Sequence, residues 1–258
     1  RPDDLLMHAP DAPPAADTVL IESTYGDRSH PPGTVLDELG PALARLAARG
    51  GVAVVPVFAV GRAQTVMYAI AQLKARGEVP SGLRVYLDSP MAVSATELFQ
   101  NHLSETRINR SELHAMARGT TLVHSVDESK ALARLHGPRV ILSASGMATG
   151  GRVLHHLALH AGDHRNMIIL TGHQAGGTRG ARIAAGEKTI RIHGRDVAIR
   201  AEVVQLATAS AHADGDQLVA WLRSMPSTPR QVYVVHGEMA AADMLRQRID
   251  HALGCPVE

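Results

Sequence analysis

Little in this chain could stack on a nucleobase: of its 258 residues one is Trp, four are Tyr and two are Phe. So few rings exclude the aromatic platforms by which RRM and OB modules hold single-stranded bases. They also leave core building to Ala, Val, Leu and Ile, in a chain that is nonetheless 45% hydrophobic. There is a single cysteine, Cys255, so no internal disulfide can form and a reducing compartment suits the chain; cytoplasmic location is the expectation. No apolar run reaches the ~18 residues a membrane helix requires, and no charged-then-apolar leader opens the chain. An excess of one charge is missing too. Lys and Arg total 26 against 25 Asp and Glu, a formal net charge of +1, so there is no global nucleic-acid signature.

Charge is nevertheless uneven along the chain. Residues 139–200 carry nine Arg/Lys and three acids, +6 locally, which leaves about −5 for the remainder. Such a stretch could line a groove that follows phosphates, or it could be a solvated face with scattered arginines.

The hydrophobic pattern divides the chain. Residues 1–16 hold four prolines and read as an irregular connector. Val19–Ile21 is a short buried strand, and His30-Pro-Pro-Gly33 then breaks any regular element and marks a crossing between domains. Beyond it, helical and strand patterns alternate: helix Leu36–Ala48 (with Pro41 inside), strand Gly51–Phe58, helix Ala63–Ala75, strand Leu83–Leu87 and helix Ala92–Leu103. Strands Arg139–Ser143 and Met167–Thr171 flank a helix at Val153–His160. This alternation predicts a parallel sheet covered by helices, an α/β class. Thr171–Thr178 is a candidate second crossing. From Lys188 the period changes, and Thr189–His193 and Val197–Leu206 read as a hairpin about His193-Gly-Arg-Asp196. Helices Asp214–Met225 and Ala240–Ala252 close the chain. The domains expected are 1–30, 31–180 and 181–258.

Two histidine boxes stand out, Ser210-Ala-His-Ala-Asp214 and Val234-Val-His-Gly-Glu238, each after a strand-like run. A strand that feeds directly into a histidine sets the imidazole at the end of a sheet, where α/β proteins keep their ligands. Thr18–Arg28 repeats the pattern with a carboxylate, Glu22. Between them lie Pro56–Gln64, Leu87-Asp-Ser-Pro-Met-Ala92 and Ser143-Ala-Ser-Gly-Met-Ala-Thr-Gly-Gly-Arg152.

Taken in order, these segments resemble the β-CASP branch of the metallo-β-lactamase-fold nucleases, over nearly the whole chain. The resemblance implies a β-CASP domain inserted in a metallo-β-lactamase αββα fold that is incomplete here. It implies a zinc-dependent RNA phosphodiester hydrolase, endo- or 5′-exonucleolytic, with RNA as partner, no membrane, and a homodimer as one admissible assembly. The family's two-zinc site is built mainly from His-x-His-x-Asp-His, and no such run occurs in these residues. The expectation is therefore a fragment, inactive by itself and without bound zinc, since zinc needs about three or four protein ligands.

By resemblance, His236 is a zinc ligand, His212 a general acid beside the scissile phosphate, Glu22 the carboxylate that orients it, and Ser210 a phosphate contact. The residues alone leave plainer readings open: a carbonyl-satisfied strand-end ring for His236, a buried hydrogen-bonded ring for His212, an N-cap or surface acid for Glu22, a capping hydroxyl for Ser210. Ser145, Gly146, Gly150 and Arg152 form a glycine-rich turn ahead of a helix that could cradle an anion, with Arg62 after Gly61 a similar candidate; turn geometry alone would explain them equally. His155, His156 and His160 are spaced wrongly for a one-face chelate and read as helix-surface residues, and no chemistry follows for the Asp88 segment. In the DNA-repair branch the His236 position is typically a valine, which favours RNA over a DNA-directed nuclease. A catalytically dead RNA-binding subunit is the other alternative, although such partners usually lose motif residues that are intact here. A glyoxalase-like hydrolase would have no use for the long insertion.

Overall fold

The computed structural model describes residues 1–258. In chain order the elements are β1 (Thr18–Glu22), α1 (Val35–Arg49), β2 (Val52–Pro56), α2 (Arg62–Ala75), β3 (Arg84–Leu87), α3 (Pro90–Asn101), α4 (Arg110–Arg118), β4 (Thr121–Leu122) and α5 (Val126–Leu132). There follow β5 (Arg139–Ser143), α6 (Val153–His160), β6 (Met167–Thr171), α7 (Arg179–Ala184), β7 (Thr189–Ile192), β8 (Arg195–Ala198), β9 (Glu202–Leu206), α8 (Gly215–Arg223), β10 (Gln231–Val235) and α9 (Met239–Leu253). They form two compact units, one of residues 33–209 and one of residues 1–32 with 210–258.

The larger unit is built on a six-stranded sheet in the order β4-β3-β5-β2-β6-β9, parallel throughout. Its central strands Val-Ala-Val-Val-Pro, Arg-Val-Ile-Leu-Ser and Met-Ile-Ile-Leu-Thr are buried at every position. That near-continuous apolar run is what helices on both faces demand of a parallel strand. Helix α1 turns Leu36, Leu39, Leu43 and Leu46 inward at helical spacing, each contributing roughly 2 kcal/mol of burial. Its Thr34/Asp37 capping box and its Gly50 cap, left-handed at φ 67°, fix both ends and accommodate Pro41 inside the helix.

The sequence sets domain boundaries at 30 and 180, whereas the units divide at 32 and at 209. The difference lies in residues 181–209. Strand β9 pairs with β6 in register, Met167 opposite Glu202 through Thr171 opposite Leu206, so it completes the parallel sheet of the larger unit. The expected hairpin is present as β7–β8, but its second arm does not run on to Leu206. The backbone N–H groups of Arg200 and Ala201 both donate to the Ala161 carbonyl, which separates β8 from β9.

In the smaller unit β1 and β10 pair in parallel, Thr18 opposite Gln231 and Glu22 opposite Val235. Helices α8 and α9 bury Leu218, Leu222, Leu245 and Ile249 with Val19, Ile21 and Val232 in one cluster. No helix of the chain is long and apolar enough to cross a membrane.

Candidate active site

The parallel register of β1 and β10 decides where the chemistry sits. With Glu22 opposite Val235, the carboxylate ends one strand exactly one position before His236 follows the other. His236 takes φ 58°, a left-handed backbone conformation directly after β10. Gly237 must follow it: a Cβ there would lie 2.2 Å from Ser23 Oγ and 2.7 Å from the Ser23 carbonyl oxygen. The close approach is used, because Ser23 Oγ donates to the Val235 carbonyl at 2.9 Å. Thr24 Oγ1 donates to the His236 carbonyl at 3.2 Å and lies 3.4 Å from His236 Nδ1.

The second box arrives from the other side of the same unit. Ser210 is buried and its Oγ accepts the His212 N–H at 3.2 Å. Asp214 caps α8 in a box with Gln217 and also accepts the His30 backbone N–H at 2.8 Å. The cap of α8 is thus Asp214, and Ser210 shapes the turn that presents His212. The His212 carbonyl accepts from His30 Nε2 at 2.9 Å, and Tyr25 packs edge-on against both rings.

These constraints bring three groups together. Glu22 Oε2 lies 3.3 Å from His212 Nδ1, with the side chains 27% and 36% exposed. The rings of His212 and His236 stack at 5.5 Å. Burial pushes the Glu22 carboxyl up, but hydrogen bonds from His212 and from Thr24 outweigh it and hold the group below its ordinary value. A carboxylate on Nδ1 fixes the ring and leaves Nε2 to exchange a proton with a ligand.

Glu22, His212 and His236 also offer one ligand atom each, all within 4.8 Å of one another. Oxygen and imidazole nitrogen donors suit zinc, and three protein ligands with an open position is the pattern of a catalytic site. Where the sequence counts one metal-ligating residue, the geometry offers three. Two of them, Glu22 and His212, are already bonded to each other.

The remaining candidates lie in the larger unit. Arg62 opens α2. Ser145 Oγ bonds Thr149 Oγ1 at 2.9 Å, and the Gly146 carbonyl accepts from Gln174 Nε2 at 3.2 Å. A Cβ at Gly146 would meet the Phe58 ring at 2.7 Å, whereas Gly150 has open space beside it. Arg152 reaches inward: Nη1 bonds Asp88 at 2.7 Å and Nη2 the His124 carbonyl at 3.4 Å.

Asp88 is the residue that sequence reasoning missed. It is fully buried just past β3 and accepts from His156 Nε2 at 2.6 Å, Ser129 Oγ at 2.5 Å and Arg152. His156 is consequently buried, and His160 is buried too, not on the helix surface as their spacing suggested; only His155 of the three is exposed. One signal was available: an acid directly after an apolar strand, in a segment that also carries Ser89 and Pro90, which cap and open α3.

Two family models and several curated proteins match this chain. Residues 63–183 match the Beta-Casp domain model, and residues 196–258 match the Zn-dependent metallo-hydrolase RNA specificity domain. The chain is 39% identical over 236 residues to Ribonuclease TTHA0252 of Thermus thermophilus, covering 89% of this chain and 53% of that protein. It is 32% identical over 246 residues to Transcription termination factor FttA of Methanosarcina mazei, 90% of this chain and 38% of the relative. An RNase J-like protein of Methanocaldococcus jannaschii is 33% identical over 228 residues, 86% and 52%. The chain therefore spans about half, or less, of the length of these relatives.

Proposed function

We propose, from the premise that this chain belongs to the β-CASP family of metallo-β-lactamase-fold proteins, that it serves zinc-dependent hydrolysis of RNA phosphodiester bonds. The observation that supports this most directly is the Glu22–His212 pair set 3.3 Å apart against the ring of His236. Cleaving a phosphodiester needs an activated water, neutralised phosphoryl oxygens and a proton for the leaving oxygen.

The protein's own residues account for the last of these. Glu22 holds the Nδ1 proton of His212, which orients the ring. His212 Nε2 then donates to the leaving oxygen of the scissile bond. Ser210 holds the His212 backbone in place through its Oγ. His236 would hold zinc from the end of β10, fixed there by Thr24 and by the close contact at Gly237. Zinc, when bound, supplies neutralisation of the phosphoryl oxygens and an acidified water.

The matched RNA specificity model at residues 196–258 supports RNA as the substrate, and the histidine at position 236, where a valine marks the DNA-directed branch by resemblance, points the same way. A second reading rests on one observation: no His-x-His-x-Asp-His run occurs in these residues. On that reading the chain binds RNA without cutting it. Labelled single-stranded RNA and the matching DNA, incubated with zinc and either this chain or a longer protein that contains it, separate the cases. Cleavage of RNA alone by the longer protein, slowed by roughly 10²–10⁴ in His212→Ala, is expected. Binding without cleavage by both would favour the second reading, and preferential cleavage of DNA would refute the substrate assignment.

A further inference from the structure

We infer that the larger unit carries a phosphate-binding recess between α7 and the β7–β8 hairpin, which grips the RNA backbone. This rests on the RNA reading above. The recess has a volume of about 460 Å³ and is lined by Arg179, Arg182, Arg191, Thr149 and Thr178. Gly177 and Gly194, left-handed at φ 78° and 77°, form part of its rim, and no atom lies within 4 Å of where their side chains would be. The backbone is therefore open to a ligand as bulky as a phosphodiester.

The three guanidinium groups differ in how they are held. Arg179 is fixed by backbone carbonyls: Nε donates to Arg191 at 2.7 Å, and Nη1 to Ala148 at 3.3 Å and Thr149 at 3.2 Å. Its Nη2 takes no acceptor from the protein. That is a pre-positioned cation whose free edge needs no reordering on binding. Arg182 is bonded to Glu187 through Nε and Nη2, at 2.9 and 2.6 Å, which leaves Nη1. Arg191 meets Asp196 at 3.5 Å, both side chains about two-thirds exposed, and so loose a surface pair holds the arginine weakly. Glu187 and Asp196 thus act as internal stand-ins that a phosphate displaces or joins.

This division explains the charge pattern. Six of the nine basic residues of 139–200 fall between 179 and 200, in α7, β7, β8 and the turns beside them. Phosphate neutralisation is additive along a strand and reads no sequence. A recess of this kind would hold the backbone in register and leave base identity unread, consistent with a chain so poor in aromatic rings.

The test measures binding of a fluorescein-labelled single-stranded RNA to this chain by anisotropy over a range of salt. Arg182→Gln with Arg191→Gln should weaken binding on the order of tenfold and flatten the log affinity–log salt slope by about 1.4, at ~0.7 per phosphate contact on a single strand. Glu187→Gln frees Arg182 and should tighten binding roughly threefold, a gain that misfolding cannot produce. Arg230→Gln removes one charge, half that of the double variant, from an exposed position in the smaller unit and should change little. Unchanged affinity and slope in the double variant would overturn the recess while leaving the RNA reading intact, as would an equal loss with Arg230→Gln. Failure of the unsubstituted chain to bind RNA at any salt would overturn both.

Discussion

His160→Leu should remove a defined part of the acid sensitivity of the larger unit. His160 is 8% exposed, and its Nε2 is buried with no hydrogen-bond partner. Burial chiefly, then the positive charges of Arg139 and His156, push its pKa from 6.5 down to about 4, against a smaller opposing pull from Asp163. The folded state therefore keeps the ring neutral where the unfolded chain would protonate it. With the folded pKa depressed, the unfolded state binds the extra proton between 6.5 and about 4, so stability falls as pH drops through that window. At pH 5 the linkage costs about 2 kcal/mol, and at pH 7 only about 0.2.

Urea unfolding followed by far-UV circular dichroism at pH 7 and pH 5, on the parent and on His160→Leu, isolates the effect. The other fourteen histidines cancel in the difference between differences. Leucine fills a similar volume, and the bond that Asn166 Nδ2 donates to residue 160 goes to the backbone carbonyl, so it survives the substitution. The parent should lose about 2 kcal/mol more than the variant between the two pH values. An identical loss in both would mean that the imidazole reaches a proton in the fold, and the burial argument would fail.

Three further outcomes follow from the geometry. Asp88→Asn leaves Arg152 and His156 without their charge partner and should cost about 3–5 kcal/mol, read as a lowered urea midpoint; a change under about 1 kcal/mol would show that the cluster is dispensable. In a zinc-loaded protein containing this chain, His212→Ala should keep the metal and slow single-turnover RNA cleavage by roughly 10²–10⁴, Glu22→Gln should do so more mildly, and His236→Ala should lower zinc content as well. The reverse pattern of metal loss would exchange the two histidines' roles. Gly237→Ala should lower the melting temperature of the smaller unit, because its Cβ would sit 2.2 Å from Ser23 Oγ; an unshifted melt would show that β1 and β10 can part there at no cost.

The parallel strands were legible because each is a self-contained signal. Arg139–Ser143, Met167–Thr171 and the Val153–His160 helix fall where the pattern put them, since burial on both faces imposes an unbroken apolar run. Helix α1 was legible despite Pro41 because its stripe of leucines outweighs one lost backbone bond. The break between β8 and β9 was not legible, since the carbonyl that receives Arg200 and Ala201 belongs to Ala161, at the far end of α6. Nor was the burial of His156, whose partner Asp88 lies 68 residues earlier. Glu22 and His236 could be named from the sequence as strand-end residues, whereas His212, expected directly after a strand, follows β9 only after the helical turn Ala207–Ala209. That they meet depends on β1 pairing with β10 across more than two hundred residues, with Glu22 opposite Val235.

The chain contains the same pairing twice, with opposite consequences. Glu22 closes β1 and holds His212; Asp88 follows β3 and holds His156. Residue types alone would rank the second pair the stronger candidate for chemistry, since it is closer, 2.6 against 3.3 Å, and has an arginine beside it. Exposure reverses the ranking. Asp88 and His156 are 0% and 5% exposed, with the carboxylate's acceptor sites taken by Ser129, Arg152 and the ring, so no proton can leave toward a ligand. Glu22 and His212 are about a third open, and a second imidazole stands at the same mouth. A carboxylate–imidazole pair thus serves as a structural clamp where it is sealed and is available for proton transfer only where the side chains stay partly open. The partial exposure of the Glu22–His212 pair, more than the residue types in it, is what makes it the candidate for proton transfer in the smaller unit.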